Sequence, residues 1–320
     1  MSLRAPLANG ARSYIAGRDG ARPDPAPAGE RPGGGRAGRG AVVRGRASGA
    51  AIAYFALVHA LAVVGLLLPI RASYVALAAG LYTALHLSTI VGLHRLLSHR
   101  AFRCPRWVEY ALVSAAMISG QGSPIAWVAT HRRHHAHTDR EGDVHSPRRG
   151  LWYAHLGWIV DDGSTDPRDP ERYCRDLAGD PYYRWLLRWR FAPQAAAVLL
   201  AGLALGWGAV PFVFFLPLVC WMHATYLVNS VCHAPRFGRR AFETRDGSRN
   251  VGWVAVLTFG EGWHNNHHAF PRAARYGMAP GQHDLAFLFI RALAALGLAS
   301  DIQPGPEGRD GARARAAGGG

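Results

Sequence analysis

The sequence predicts an all-α membrane protein with four transmembrane helices and a histidine-rich region on one side of the bilayer. Hydrophobic residues make up 49% of the 320-residue chain and charged residues only 18%, and the apolar residues are concentrated in long runs. The 16 histidines include two copies of the pattern HxxHH. The formal net charge of +15 comes from arginines that lie mainly at the ends and in loops beside the apolar runs, which favours a membrane surface over nucleic acid as the partner.

Composition divides the chain into three parts. Residues 1–48 and 304–320 are rich in glycine, alanine and arginine and show almost no apolar periodicity, so we expect both to be disordered. Residues 49–303 contain the apolar runs and the clustered histidines, and we expect them to form one membrane domain. The four cysteines form no CxxC pair, which favours a reducing compartment over a disulfide framework.

Four apolar segments are candidates for crossing a bilayer, which takes about 20 apolar residues per helix. The first two are residues 51–70 and 74–93. The long run 195–228 is interrupted near Gly206, which predicts two helices joined by a tight turn, the first of them short. Residues 108–128 carry polar residues and glycines in their second half, so we expect a half-buried helix at the membrane interface instead of a span.

Charge indicates the orientation of these helices. Nine arginines precede the first span, whereas the first loop between spans contains only Arg71. The positive-inside rule therefore places the N-terminus, residues 94–190 and residues 229–320 together on the cytoplasmic side. The high content of alanine, glycine and arginine is typical of a bacterial source, in which this membrane would be the inner one.

The histidines form three clusters on this side. His94 and His99 lie five residues apart at the end of the second span, and we expect the helix to end or loosen near Leu97 so that His99 turns back. The other two clusters follow HxxHH, and residues i, i+3 and i+4 share one face of a helix, so each copy is expected to aim three imidazoles at one point. The two copies are His131, His134 and His135, and His264, His267 and His268.

Eight clustered imidazoles are too many for one ion, so they predict a site for two metal ions. Neutral imidazole binds iron, zinc, copper and nickel, and the ligand type alone leaves the metal open. We expect His59 and His223 to pack helices together, while His86, two turns before His94, could contact a metal ligand. The remaining histidines are expected to contact ligands or to lie at the surface: His137, His145, His155 and His283.

Five motifs, in combination and in this order, carry a resemblance to a known family. They are HRLLSHR (94–100), WVATHRRHH (127–135), HSPRRGLWYAHLGW (145–158), NSVCH (229–233) and GEGWHNNHHAFP (260–271). Over residues 51–300 the chain resembles the membrane fatty acid desaturases, and most of all their acyl-CoA (stearoyl-type, delta-9) branch. The resemblance implies four transmembrane helices under a cytoplasmic helical cap that holds a histidine-rich di-iron site.

Transferred residue by residue, the resemblance implies nine histidine ligands for two irons: His94, His99, His131, His134, His135, His233, His264, His267 and His268. It also places Asn229 near one iron through a water molecule, and a spacing of one helical turn allows Asn229 and His233 to face the same site.

The resemblance further implies a tunnel for the acyl chain. Tyr82, about 18 Å along the helix from His94, would close the tunnel, and Gln121 and Trp127 would line it. Arg148 and Arg149 are candidates for binding a phosphate of the substrate headgroup.

The implied function is O2-dependent desaturation, with two irons as cofactor and O2 as co-substrate. The product would be a cis double bond, at the delta-9 position, in a long saturated acyl chain. This chemistry breaks an unactivated C–H bond, which needs a metal that activates O2 because no acidic or basic side chain can do it. The segment after Ile302 is too short for an electron-transfer domain, so we expect a separate donor of the ferredoxin or cytochrome b5 type with its reductase.

Three questions stay open at this point. Ala129 and Thr130 stand where animal acyl-CoA members carry charged residues that contact CoA, so the acyl group could be attached to CoA, a lipid or a carrier. A lipid hydroxylase on the same scaffold would use the same histidines, because the two reactions diverge after the first hydrogen is removed. A non-catalytic zinc protein is the last alternative, although structural zinc sites have four ligands and this chain offers more.

Overall fold

Helices form the regular structure of the chain. The structure is a computed structural model and describes residues 47–166 and 168–306. Within these ranges extended pairing is limited to isolated bridges, such as that between Arg103 and Ser300. The all-α prediction is therefore confirmed for this part of the chain. The segments 1–48 and 304–320, predicted to be disordered, lie almost entirely outside the described residues.

The main helices are α1 (Gly49–Leu67), α2 (Ala72–Ser98), α3 (Arg106–Met117), α4 (Pro124–His137), α5 (Pro181–Arg188), α6 (Ala192–Leu205), α7 (Pro211–His233), α8 (Gly252–Leu257), α9 (His264–Ala269) and α10 (Leu285–Ala295). Short helical turns occupy Pro147–Arg149, Tyr153–Gly157, Trp158–Val160, Asp169–Tyr173 and Arg175–Ala178.

Three of these helices, α1, α2 and α7, are long and apolar enough to cross a membrane. The fourth predicted span corresponds to α6, which has 14 residues. At 1.5 Å per residue it is about 21 Å long, shorter than the hydrocarbon core of about 30 Å. The turn between α6 and α7 lies at Gly206, whose φ of +83° favours glycine. The break in the apolar run is thus where the sequence predicted it, and the described chain has three helices of spanning length.

The second half of α2 is a π-helix over Ser88–Ser98. In a π-helix the backbone hydrogen bonds join residues five apart, so residues five apart lie above one another. The N–H of His99 accordingly donates to the carbonyl of His94 at 3.1 Å, and the two imidazole rings lie 4.9 Å apart. The helix does end near Leu97, as predicted, but His99 is aligned with His94 by the wider helical turn.

The stretch 108–128 forms two helices instead of one. Helix α3 ends at Met117, and α4 begins at Pro124 with Ser123 as its N-cap, whose hydroxyl accepts a hydrogen bond from the Ala126 N–H at 3.2 Å. The turn between them includes Gly120 and Gly122, both with positive φ. Both helices pack against the π-helical half of α2, and with 12 and 14 residues neither has the length of a membrane span.

Two apolar cores hold the helices in place. One joins α1, α2 and α7 through residues such as Val58, Leu85 and Leu218, and the other packs α3, α4 and α10 around the π-helical half of α2. Gly65 allows α1 to approach α7 closely, because a Cβ there would lie 2.6 Å from the Pro211 carbonyl carbon. The opposite face of α1 is apolar and exposed, with Leu67 at 79%, as a lipid-facing surface requires.

Candidate metal centre

Nine histidines from α2, α4, α7 and α9 converge in two groups, in each of which the ring nitrogens lie within 4.8 Å of one another. The five-histidine cluster consists of His94, His99, His131, His135 and His267. The four-histidine cluster consists of His134, His233, His264 and His268. The structure thus brings together all the histidines that the motifs singled out as ligands, including His233.

The division between the clusters corrects one prediction. Each HxxHH copy was expected to aim its three imidazoles at one point, but each copy contributes to both clusters. On α4, His131 and His135 face the five-histidine cluster and His134 faces the other. On α9, His264 and His268 face the four-histidine cluster and His267 faces the five-histidine cluster. Both helices therefore lie between the two clusters and tie them together.

The facing nitrogens fit a pair of metal ions better than a hydrogen-bond network. The Nε2 atom of His267 lies 3.2 Å from Nε2 of His94 and 2.9 Å from Nε2 of His135. Likewise, Nε2 of His264 lies 2.9 Å from Nε2 of His233 and 3.0 Å from Nε2 of His268. A neutral imidazole has one N–H, so nitrogens gathered in this way present lone pairs to one another. A bound cation would resolve that repulsion.

Carboxylates orient several of these rings from outside. His134, His233 and His268 place Nδ1 at 2.9, 3.0 and 3.2 Å from Asp143, Asp139 and Asp246. The Nδ1 atom of His94 contacts Glu261. Donation of Nδ1–H to a carboxylate leaves the Nε2 lone pair free for a metal, which is the usual arrangement around metal-binding histidines.

Sequence reasoning missed these four acids. A signal was present, since Asp139 and Asp143 closely follow the first HxxHH and Glu261 precedes the second. Only the tertiary structure shows which acid reaches which ring.

Burial keeps the imidazoles in their metal-binding form. Outside the spanning helices, desolvation and the neighbouring imidazoles lower the pKa of seven histidines: His99, His131, His134, His135, His264, His267 and His268. The pKa of His135 falls to about 3. Burial would raise the pKa of Glu261, but His94 and Arg95 hold it below its usual value. Near neutral pH these seven imidazoles are therefore neutral and Glu261 is ionised.

The two asparagines inside HNNHH position α9. The side-chain oxygen of Asn250 accepts hydrogen bonds from the N–H groups of Asn265 and Asn266, at 3.0 and 3.2 Å. The side-chain oxygen of Asn265 in turn accepts from the N–H groups of Ala241 and Phe242. These contacts stabilise the first turn of a six-residue helix that carries three of the clustered histidines.

One cavity reaches both clusters. Besides His94, His131, His134, His264 and Glu261, its lining consists of His86, Thr89, Ile90, Trp127, Thr225, Val228, Asn229 and Thr258. Asn229 is half-buried on α7, which continues to His233, so Asn229 does not end the helix. The cavity is the space in which a substrate would meet the histidines.

The predicted tunnel residues lie at and beyond this cavity. Trp127 is part of the lining, and its indole N–H donates to Gln121 at 3.1 Å. Gln121 is outside the lining and donates to the Tyr226 hydroxyl. Tyr82 is also outside the lining, with its ring 4.4 Å from that of His86, and its hydroxyl donates to the Leu257 carbonyl at 2.7 Å.

The two predicted headgroup residues differ from each other. Arg148 is exposed, and no ion pair of its guanidinium is found in the described part of the chain. Arg149 is exposed as well, but its guanidinium pairs with Asp161 at 3.0 Å and lies 3.5 Å from the centre of the Tyr153 ring. Arg148 is therefore the more available of the two for a ligand.

Three further histidines form a chain away from the clusters. The rings of His59, His223 and His155 are linked by two nitrogen–nitrogen contacts of 3.0 Å, and His155 continues to the Ser230 hydroxyl at 3.1 Å. His59 and His223 join α1 to α7, which is the packing role predicted for them. His145 lies beside His134, with a ring separation of 4.3 Å.

Comparison with known proteins gives the family. The family model described as fatty acid desaturase matches residues 72–286. The chain is 42% identical over 217 residues to an sn-1 stearoyl-lipid 9-desaturase of Anabaena variabilis, covering 68% of this chain and 79% of that protein. It is 40% identical over 266 residues to an sn-2 palmitoyl-lipid 9-desaturase of Nostoc sp. (strain 36), covering 80% and 90%.

A plant relative agrees with these bacterial ones. The chain is 40% identical over 235 residues to delta-9 acyl-lipid desaturase 2 of Arabidopsis thaliana, covering 69% of this chain and 72% of that protein. With a family model that covers most of the chain and relatives at this level of identity, the resemblance to the membrane fatty acid desaturases is confirmed, and the three relatives are named as lipid desaturases. The chain belongs to the fatty acid desaturase family and is an oxidoreductase that desaturates fatty-acyl chains.

Proposed function

We propose that this enzyme introduces a cis double bond at the delta-9 position of a saturated acyl chain that is attached to a membrane lipid. The observation that supports this most is the single cavity that reaches both histidine clusters. In the reaction O2 takes two hydrogens from the acyl chain, together with two electrons and two protons, and is reduced to two molecules of water. The electrons come from a separate donor protein of the ferredoxin or cytochrome b5 type with its reductase.

The nine clustered histidines would hold two iron ions, with Asn229 approaching one of them through a water molecule. The iron pair, when bound, supplies the O2-dependent oxidation of an unactivated C–H bond. The chain supplies the surroundings for that step. Ile90, Trp127 and Val228 present apolar surface to the substrate, exclude water and hold one pair of methylene groups beside the histidines.

A lipid-linked substrate agrees with the residues that directly precede His131. Ala129 and Thr130 offer no charge there for a CoA phosphate. Three relatives from two cyanobacteria and a plant are named as lipid desaturases with a 9 or delta-9 position. Arg148 could meet the headgroup. The site is expected to face the cytoplasm of a bacterial inner membrane. In this multi-pass arrangement α6, although shorter than the hydrocarbon core, would return the chain across the bilayer before α7.

A lipid profile of cells that express the chain with a ferredoxin and its reductase tests this function. Gas chromatography with double-bond derivatisation should find new delta-9 monounsaturated chains that are missing from cells with the empty vector. Purified enzyme in nanodiscs should then convert stearoyl lipid faster than stearoyl-CoA. Hydroxylated chains would instead support the hydroxylase alternative, and faster conversion of stearoyl-CoA would contradict the lipid-linked substrate.

Replacing Tyr82 with alanine is expected to lengthen the acyl chains that are accepted. Tyr82 lies behind the cavity lining, with its ring 4.4 Å from that of the lining residue His86, so removing the Tyr82 ring is expected to extend the space available to the methyl end of the chain. The measurement is the ratio of 18-carbon and longer products to 16-carbon products. The Tyr82→Phe variant is the matched control, since it keeps the ring and loses only the hydrogen bond to Leu257. An unchanged ratio in Tyr82→Ala would show that Tyr82 does not limit the tunnel.

A basic surface near α9 is suited to an acidic electron donor. A depression next to the asparagine contacts that hold α9 is lined by Gly238, Arg239, Arg240, Ala241, Asn250, Gly252, Trp263 and Gln282. Arg239 and Arg240 are exposed, and in the ranges that the structure covers neither forms an ion pair. Opposite charges steer association, so this surface favours a donor with an acidic face.

The Arg239→Glu/Arg240→Glu double variant is expected to raise the KM for a ferredoxin donor at least about tenfold at low salt, since like charges disfavour docking. The value of kcat at saturating donor should stay close to that of the wild type. The matched control is Arg184→Glu/Arg188→Glu on α5, another exposed arginine pair, which should leave the KM unchanged. Equal effects of the two double variants would indicate a general charge effect with no specific docking surface.

A further inference from the structure

The two histidine clusters differ in the charges around them. In the four-histidine cluster three imidazoles face carboxylates, those of Asp143, Asp139 and Asp246, at 2.9, 3.0 and 3.2 Å. In the five-histidine cluster the one contact of this kind within the described residues is that of His94 with Glu261. The smaller cluster thus has more negative charge bound directly to its imidazoles.

A buried arginine increases this difference. The side chain of Arg95 is fully buried (0% exposed), and its guanidinium lies 2.9 Å from Glu261 and 3.0 Å from Asp284. Its positive charge is shared between the two carboxylates and so offsets part of the charge of Glu261, the one carboxylate that contacts the five-histidine cluster. In the described chain, Asp139, Asp143 and Asp246 form no ion pair with arginine, and their charges are compensated only by hydrogen bonds.

Two physical effects of this arrangement act in the same direction. A carboxylate that accepts the Nδ1–H of an imidazole makes that imidazole a more basic ligand. A nearby negative charge also stabilises a more highly charged ion, and this attraction is weakly screened in a site that excludes water. Both effects favour the ferric ion at the four-histidine cluster. At the five-histidine cluster Arg95 opposes them.

We propose that the two iron sites are unequal in reduction potential because of the charges around them. Asp139, Asp143 and Asp246 at one cluster, and the ion pair of Arg95 with Glu261 at the other, are the positioning residues that cause this difference. The proposal rests on the binding of two irons proposed above. If both clusters held ferric iron, the five-histidine cluster would accept an electron from a one-electron donor at the higher potential and the four-histidine cluster would accept one at the lower potential. The donor is oxidised once in each step, and no covalent bond is made or broken.

A redox titration of the full-length protein, purified in detergent and loaded with 57Fe, tests the proposal. Dithionite is the reductant, and Mössbauer spectra report the ferrous and ferric fractions at each potential. The wild type should show two separate one-electron midpoints, with one ferrous and one ferric signal of equal area between them.

Two substitutions should change the separation of these midpoints in opposite directions. Asp246→Asn removes a negative charge from the four-histidine cluster, which should raise the lower midpoint and narrow the separation. Glu261→Gln removes the one negative charge that contacts the five-histidine cluster, while Arg95 keeps its ion pair with Asp284, which should raise the upper midpoint and widen the separation. Asp161→Asn is the control, because Asp161 pairs with Arg149 and contacts none of the clustered histidines. A role confined to folding would move both midpoints together or reduce the iron content alone.

A single two-electron midpoint in the wild type would overturn the proposal, and so would shifts of the same sign in the separation for both variants. If Asp246→Asn protein binds less than two irons, Asp143→Asn takes its place with the same expected narrowing. The readout is independent of turnover. A chain that binds two irons with split midpoints but forms no double bond would contradict the proposed function and leave this inference intact.

Discussion

The His267→Ala variant is expected to lose desaturation and to retain fewer than two irons per chain. His267 is fully buried, and its Nε2 faces Nε2 of both His94 and His135, so its removal opens the centre of the five-histidine cluster. Loss of a residue that merely supports a metal ligand costs about 10–100-fold in activity or affinity, and loss of a ligand should exceed that range. Metal analysis of purified protein and product formation from labelled stearoyl lipid are the two measurements.

The matched control is His223→Ala. His223 is likewise a histidine, but it lies on the spanning helix α7 and contacts His59 and His155, outside both clusters. Its loss removes one hydrogen-bond partner from each of the His59 and His155 rings. This should lower the free energy of unfolding by about 1–3 kcal/mol and leave the iron content near two. Thermal unfolding followed by circular dichroism separates the two effects. Equal loss of iron from both variants would contradict the division between metal-binding and helix-packing histidines.

The free energy of unfolding of the metal-free protein is expected to fall as the pH is lowered below about 6.5. The pKa of seven buried histidines is lowered in the folded state, whereas in the unfolded chain it is near 6.5. Below that pH the unfolded chain binds more protons than the folded one, so the free energy of unfolding falls as pH falls. Each such group contributes up to about 1.4 kcal/mol per pH unit. The loss should continue until the folded-state pKa is reached, which for His135 is about 3.

The measurement is the thermal midpoint of chelator-treated protein in nanodiscs between pH 7.5 and pH 5. The iron-loaded protein is the first control, because bound metal competes with protons for the same nitrogens and should hold the midpoint constant until the metal is released. The His135→Asn variant is the second control, since it has one titrating group fewer and should show a shallower dependence. A midpoint of the metal-free protein that does not change over this range would contradict the expectation.

The correct and incorrect parts of the sequence analysis have separate physical causes. Apolar runs, the break at Gly206 and the histidine motifs are local patterns, and the structure shows α1, α2 and α7 and the turn where those patterns predicted them. The first half of the broken run was expected to form a short helix, and α6 has only 14 residues because the chain turns at Gly206. The stretch 108–128 was treated as one helix because its glycines do not by themselves show where the chain reverses.

The sequence by itself determined the family, the all-α fold class and the set of nine histidines that converge, because each of these depends on residue types at fixed spacings. Only the tertiary structure decided how the histidines divide. The π-helical half of α2 aligns His94 with His99, and α4 and α9 each present histidines to both clusters. The same holds for the acids around them: Asp139, Asp143, Asp246 and Glu261 reach particular rings because distant segments pack together, and packing between distant segments leaves no periodic pattern in the chain.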